Sequence, residues 1–419
     1  MLFDQLPAPD RRRLLRATAA AGLGTWAGLS LAGAAKPTAP RLVLVILRGG
    51  MDGLSAAPAL GDPAFAEARG ALGRFATPAL PLDGLMALHP ALTNLHTMVQ
   101  QREALVLHAV GLPDRERSHC DGQQVLESGG VKPFDLDTGW LGRALTGGPG
   151  KALALQAVPP LVLRGHSAVD TWAPATRPDP APDLVARLER LYAADPALAA
   201  ALNRARELRL PGAMPANPMG SASAVPGMMA SGPGAVGAAA PPGRQLALTL
   251  ARQAAQFLAL ADGPQVAVLS LGGWDTHANQ AAENGPLSYN LRTLDGVLAA
   301  LREGLVAPAA DDVWQRTVVL VVTEFGRTVA INGTQGTDHG SGGVAFALGG
   351  AVQGGRVLTD WPGLAPAQRF EGRDLRATTD LRALFKTVLT EHLGLPVARV
   401  SQSVLPGSAA LANLPILRG

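Results

Sequence analysis

Residues 317–350 read TVVLVVTEFGRTVAINGTQGTDHGSGGVAFALGG, and their reading decides the fold. The first seven, 317–323, form an unbroken β-branched and leucine run. A run of that length without polar alternation suits a central strand covered on both faces of a parallel sheet. Behind it come Glu324, Phe325, Gly326 and Arg327, then a glycine-rich loop holding Asp338-His339-Gly340, then a second apolar run at 343–348. Ligands of open α/β sheets bind outside the carboxyl ends of the strands, so Glu324, Arg327, Asp338 and His339 stand where chemistry is expected. The intervening glycines let the backbone fold these side chains back over the strand end.

Working outward, three more apolar runs end in the same way. Residues 41–47 are a second buried-strand run followed by Arg48-Gly49-Gly50-Met51-Asp52-Gly53-Leu54-Ser55. Asp52 there has two readings, a metal ligand at a sheet edge or an aspartate in a turn that favours it anyway. A short strand at 104–110 precedes Arg117-Ser118-His119-Cys120-Asp121, which opens a helix closed by Ser128-Gly129-Gly130. Ser118 reads equally as an N-cap or as a nucleophilic hydroxyl at the positive end of a helix, with arginines near it. Cys120 reads as a small buried residue. The strand 265–271 runs into Gly272-Gly273-Trp274-Asp275-Thr276-His277. His89, His96 and His108 stand singly among apolar neighbours and read as packing or capping residues.

Helical patterns at 91–100, 183–208, 244–261, 288–305 and 380–393 alternate with these strands. In 288–305 the apolar positions Leu291, Leu294, Val297, Leu298 and Leu301 line one face, as expected of a helix packed on a sheet. The alternation predicts an α/β sandwich with a mostly parallel sheet. The 419 residues, 47% hydrophobic and 16% charged, can bury a large core, while 49 glycines and 34 prolines imply many loops. The net charge of +3 gives no basis for nucleic-acid binding, and a single cysteine excludes an internal disulfide.

Residues 1–34 predict the compartment. Asp10-Arg11-Arg12-Arg13-Leu14-Leu15-Arg16 is a twin-arginine pattern, followed by an uncharged run at 17–35 and the small-residue cleavage site Ala32-Gly33-Ala34. The run's alanines and glycines make it weakly hydrophobic for an anchor, so no stable membrane insertion is expected after cleavage. Residues 35–419 then form one domain. Within it, 211–243 is almost wholly Ala, Gly, Pro, Ser and Met and is expected to be a mobile insertion.

Asp52, Ser118, His119, Asp275, His277, Glu324, Asp338 and His339 together make a mixed carboxylate and imidazole set. That is the ligand chemistry of Zn²⁺ or Mn²⁺ rather than Mg²⁺ or Ca²⁺, with ligands enough for one or two ions. Arg48, Arg117 and Arg327 could hold a substrate's anionic oxygens.

The runs LVLVILRGGMDGLS, RSHCDGQQVLESG, GWLGR, LGGWDTH, TEFGRT and GTDHGSGG resemble those of the bacterial twin-arginine-exported family known as domain of unknown function fifteen hundred and one. That family is grouped with the alkaline-phosphatase-like superfamily of phosphatases, sulfatases, phosphodiesterases and cofactor-independent phosphoglycerate mutases. The resemblance implies a three-layer α/β sandwich of the alkaline-phosphatase/sulfatase type. It implies Asp52 as the metal-bridging aspartate, Asp275 and His277 as an Asp/His pair, Glu324 in place of a further such pair, and His339 as the last metal histidine. Two departures stand out: one residue separates Asp275 from His277 rather than three, and Phe325 follows Glu324 where a histidine is usual. They imply a site that is altered, single or lost. Cys120 stands where the family has phenylalanine.

The function implied is an exported metal-dependent hydrolase of a small anionic phosphate or sulfate ester. Ser118, His119 and Arg327 are its expected catalytic residues, with Ser55 the other candidate nucleophile. Arg48 and Arg117 are the expected substrate-binding residues. The alternatives are an envelope binding or accessory protein that keeps the fold, or a metal-dependent isomerase or phosphotransferase. The expected partner besides substrate is the twin-arginine translocase.

Overall fold

The computed structural model describes residues 39–148, 150–174, 180–208, 242–307 and 312–419. The expected leader at 1–34 and residues 211–241 of the expected insertion lie outside them. The last two residues of that segment, 242 and 243, already belong to a helix, Pro242–Ala259.

Nine strands of the described residues form one sheet: β1 (Arg41–Leu47), β2 (Ala104–Gly111), β3 (Ala152–Ala154), β4 (Val169–Thr171), β5 (Val266–Leu271), β6 (Thr317–Thr323), β7 (Gly343–Leu348), β8 (Val357–Leu358) and β9 (Thr379–Asp380). Their order is β8-β2-β7-β6-β1-β5-β3-β4, with β9 also on β2. All pairings are parallel except those of β7, which runs antiparallel to both β2 and β6. The sheet is mixed and mostly parallel, as expected.

The unbroken apolar runs are explained by burial on both faces. Val43, Val45 and Leu47 of β1 pack into one core with Leu95 and Val99 of α1 (Thr93–Gln100), Ala251 and Leu258 of α4 (Pro242–Ala259), and Leu294 and Leu298 of α5 (Pro286–Val306). Leu42, Leu44 and Ile46 face the opposite core, with Val125 of α2 (His119–Ser128), Trp140 of α3 (Trp140–Leu145) and Phe385 of α6 (Leu381–Thr387). Trp140 stacks on Phe385 with ring centroids 4.7 Å apart. The result is helix, sheet and helix in three layers.

Register brings the site together. Leu47 is level with Leu271 and with Thr323, so β1, β5 and β6 end side by side. β2 points the same way, and β7, being reversed, begins at that edge. The residues after β1, β2, β5 and β6 and those before β7 therefore share one rim.

Two helices differ from the sequence reading. The pattern at 183–208 splits into Pro182–Tyr192 and Pro196–Glu207 because Pro196 cannot continue the first helix, and Asp195 caps the second through Ala197 N and Leu198 N at 2.9 and 3.1 Å. The helix expected at 380–393 is α-helical only to Thr387 and then widens into a π turn, Val388–His392. Among the described residues no helix is long and apolar enough to cross a membrane.

Candidate metal centre

The rim after β1 is built on glycine. Gly49 and Gly50 have φ of 123° and 63°, and a Cβ on them would lie 2.7 Å from Asp275 N and 2.4 Å from the Phe325 ring. Only glycine lets β1, β5 and β6 deliver their loops this closely. Arg327, fully buried, ties these loops together. Its guanidinium donates to the carbonyls of Gly49, Gly50, Trp274 and Thr337 and to Asp275 Oδ1 at 2.5 Å. The expected catalytic Arg327 is thus a brace, with no donor turned to a substrate among these contacts.

Against that brace three imidazoles meet one carboxylate. His119 Nδ1 donates to Glu324 Oε1 at 2.8 Å, His277 Nδ1 to Asp338 Oδ1 at 3.1 Å and His339 Nδ1 to the Arg117 carbonyl at 2.8 Å. Carboxylates and carbonyls only accept, so each ring carries a proton on Nδ1, which leaves Nε2 as the atom available to an ion or to a second proton. All three Nε2 atoms turn to Asp275: His277 at 2.9 Å and His339 at 3.3 Å from Oδ1, and His119 at 3.4 Å from Oδ2. His119, Asp275 and His339 each place a ligand atom within 4.8 Å of the others, a group that could hold a metal ion.

Two observations fit a cation to this group. His119 Nε2 is buried and has no hydrogen-bond partner. His277 Nε2 and His339 Nε2 approach to 3.0 Å, a contact between two lone pairs unless a positive charge lies between or on them. The imidazole-rich donor set suits a borderline transition ion better than Mg²⁺ or Ca²⁺.

Charge at the site supports coordination at neutral pH. Burial pulls the His339 pKa below its ordinary value, although the Arg117 carbonyl opposes this, and the charges of Arg327 and His119 add to the lowering. Burial works to raise the Asp275 pKa, but the Arg327 hydrogen bond and charge, with His277 and His119, hold it below the usual carboxylate range. Asp338 is held low first by Asn332 and then, against some burial, by His277.

The expected site residues divide accordingly. Asp275, His277 and His339 come together. His119, expected to be catalytic, joins them as a candidate ligand. Glu324 and Asp338, expected ligands, instead hold the Nδ1 protons; Glu324 also accepts from Gly49 N at 2.8 Å and Gln123 at 3.2 Å. Asp52 takes a different partner from the expected metal. Its Oδ2 accepts from Arg69, from Gln280 at 2.6 Å and from Ser55 at 2.8 Å, with all four side chains buried. Burial works against ionisation there, yet Arg69, Gln280 and Ser55 leave the Asp52 pKa lowered. Ser55 is enclosed in that same network.

Ser118 is the N-cap of α2, its Oγ accepting from Asp121 N at 3.4 Å. Arg48 pairs with Glu127 at 2.7 Å and donates to Gln123 at 2.9 Å. Arg117 pairs with Asp374 at 2.8 Å and also with Glu371. Cys120, expected to be buried, is exposed, because the first turn of α2 turns it away from the sheet. His89, His96 and His108 each bond to a backbone carbonyl, of Ala282, Pro81 and Ala57, at 2.7, 2.9 and 3.0 Å.

Arg69, Gln280 and Phe325 were missed as participants. Phe325 packs with its ring centroid 4.9 Å from those of both His119 and His339, tilted to them by 38° and 40°. It stands where the resemblance leads one to expect a histidine, which was its one sequence signal; Arg69 had none.

The chain belongs to the family described as "Protein of unknown function (DUF1501)", whose match spans residues 85–405. No curated protein matches it. Among solved structures it is similar to the PsFucS1 sulfatase from Pseudoalteromonas sp., at 13% identity and a TM-score of 0.38, covering 98% of this chain and 75% of that one. It is also similar to the phosphonate monoester hydrolase of Agrobacterium radiobacter, at 12% identity and a TM-score of 0.39, covering 85% and 74%.

Proposed function

We propose that this chain is an exported hydrolase of phosphate or sulfate esters that works with one divalent cation of the zinc class. The observation that carries the reading is the convergence of three Nδ1-protonated imidazoles on the Asp275 carboxylate, with His119 Nε2 buried and without a hydrogen bond. His119, Asp275 and His339 would hold the ion, and Glu324 and the Arg117 carbonyl fix the two rings in the ligating tautomer. A bound cation of this class supplies Lewis acidity, polarising an ester oxygen and acidifying water.

The remaining residues act around it. His277 is 43% exposed and lies beside the group, with Asp338 on its Nδ1. A carboxylate on one nitrogen stabilises the imidazolium, so His277 Nε2 is the atom that takes and returns a proton. Phe325 excludes water from the rear of the His119 and His339 rings.

Elemental analysis of the purified protein tests the reading. We expect about one equivalent of zinc-class metal, nearly absent in His339→Ala, and hydrolysis of 4-nitrophenyl phosphate or sulfate that Asp338→Asn slows without removing metal. Failure to bind zinc at neutral pH would sink it. Export by the twin-arginine route is proposed from Arg11-Arg12; replacing both by lysine should leave the precursor in the cytoplasm, and unchanged export would refute it.

One observation favours a second reading, a metal-binding accessory protein without turnover. Arg48, Arg117 and Arg327 are all engaged by protein partners, and Ser118 caps a helix. One equivalent of metal with no hydrolysis across a panel of phosphate and sulfate esters would select it.

A further inference from the structure

His339 is held from two sides, and one buried carboxylate stands behind both. Its Nδ1–H is taken by the carbonyl of Arg117, a residue in the left-handed region at φ 59°. A side chain with a Cβ keeps that backbone only where its surroundings fix it. Here the fixing contacts are made by the Arg117 guanidinium. Its Nε donates to Asp374 Oδ2 at 2.8 Å, a second nitrogen donates to Glu371, and its carbon lies 5.8 Å from the centre of the Phe370 ring.

All three partners belong to one turn, residues 370–374. The turn is closed on itself by Phe370 N to the Asp374 carbonyl at 2.9 Å and Asp374 N to the Phe370 carbonyl at 3.0 Å, and Val329 N ties it to the rim through the Arg373 carbonyl at 3.2 Å. It also reaches the chain that carries His339. Arg373 donates to the His339 carbonyl, and Ser341 Oγ, two residues on, donates to the same Asp374 Oδ2 at 2.9 Å. The other oxygen, Oδ1, makes no hydrogen bond and has Arg373 Nε 3.5 Å away. Asp374 is fully buried, whereas Glu371 is 58% exposed. A buried acceptor shared by two donors fixes where both stand, while an exposed one holds its partner only weakly.

We propose that Asp374 is a positioning residue of the candidate metal centre. Through Arg117 it sets the carbonyl that takes the His339 Nδ1 proton, and through Ser341 it sets the segment on which His339 sits, so that Nε2 stays turned to the ion. Glu371, on the same guanidinium, adds little. The effect on metal rests on the proposed metal reading; the hold on the ring does not need it.

Two readouts test the proposal: zinc affinity by competition with a chelating dye, and the His339 Nδ1–H resonance of zinc-free protein by NMR. In the wild type that proton should exchange slowly with water. In Asp374→Asn it should broaden into exchange, and zinc should bind about 10–100-fold more weakly, the usual cost when the group behind a metal ligand is lost. Glu371→Gln should move the affinity by no more than about twofold, as expected of an exposed ion pair. His108 Nε2–H, which donates to the Ala57 carbonyl at 3.0 Å, is the reference for the fold and should stay protected throughout. Arg117→Lys keeps a charge for Asp374 but lacks the planar fork that also engages Glu371; it should move both readouts the same way and serves if Asp374→Asn fails to fold. A wild-type His339 proton in Asp374→Asn, or an unchanged affinity in a protein that binds zinc, overturns the proposal, as does exposure of His108 equal to that of His339. Failure of the metal reading looks different: zinc fails to bind even the wild type, while the His339 proton still responds to Asp374→Asn.

Discussion

Asp52 and Asp275 follow neighbouring strands whose ends are level, and both are held ionised against burial. Asp52 is closed in by Arg69, Ser55 and Gln280, all donating to its Oδ2, while its Oδ1 is buried without a hydrogen-bond partner. Asp275 is 43% exposed, and although Arg327 holds one oxygen, three imidazole Nε2 atoms also point at it. The difference teaches that a carboxylate at a sheet edge is not in itself a ligand. Both carboxylates have a buried arginine partner; what differs is that Asp52 is enclosed, whereas Asp275 keeps an exposed side among imidazole nitrogens with which it could share a cation.

The comparison breaks if the two aspartates respond alike to loss of charge. Asp52→Asn leaves Arg69 buried without a counterion and should destabilise the fold by about 3–5 kcal/mol, read as a shift of the urea midpoint. Asp275→Asn should remove bound zinc and, by taking the carboxylate from the buried Arg327, also destabilise the fold, but by less than Asp52→Asn, because Arg327 keeps four backbone carbonyl acceptors and Asp275 itself is half exposed. Equal destabilisation would show that the Asp275 group is structural.

His108 sharpens the contrast, being a buried imidazole with no carboxylate partner. Burial lowers its pKa from 6.5 to about 4. Above pH 6.5 both folded and unfolded chains hold it neutral. As the pH falls from 6.5 towards 4 only the unfolded chain takes the proton, so stability should drop by about 3 kcal/mol across that window and level off below it. Chemical denaturation of the zinc-free protein at stepped pH checks this, and His108→Gln should flatten the slope.

Smaller effects are expected one contact away. Glu324→Gln keeps the shape but weakens the acceptor for His119 Nδ1–H, and zinc affinity should fall by about 10–100-fold with little change in melting temperature. Ser118→Ala removes the cap of α2 and should cost about 0.5–2 kcal/mol of stability while zinc stays bound. Loss of metal in Ser118→Ala would mean that the cap also sets His119.

The strands 317–323 and 41–47 were legible in the sequence because burial on both faces demands unbroken apolar runs, and only a covered sheet meets that demand. The rim was legible for the same reason: wherever such a run ended, Asp275, His277, Glu324, Asp338 and His339 were the polar residues that followed. What each would do there was not legible. Arg69 comes 17 positions after Asp52, in a stretch with no motif, and neutralises it only because the chain folds back to make them touch. Glu324 and Asp338 offer the same carboxylate as Asp275, yet each meets an Nδ1–H while Asp275 meets the Nε2 atoms. Residue type and strand-end position are local properties that sequence carries by itself. Which atom faces which across segments more than 200 residues apart, as His119 faces Glu324, is set by strand order and register, and only the tertiary structure decided it.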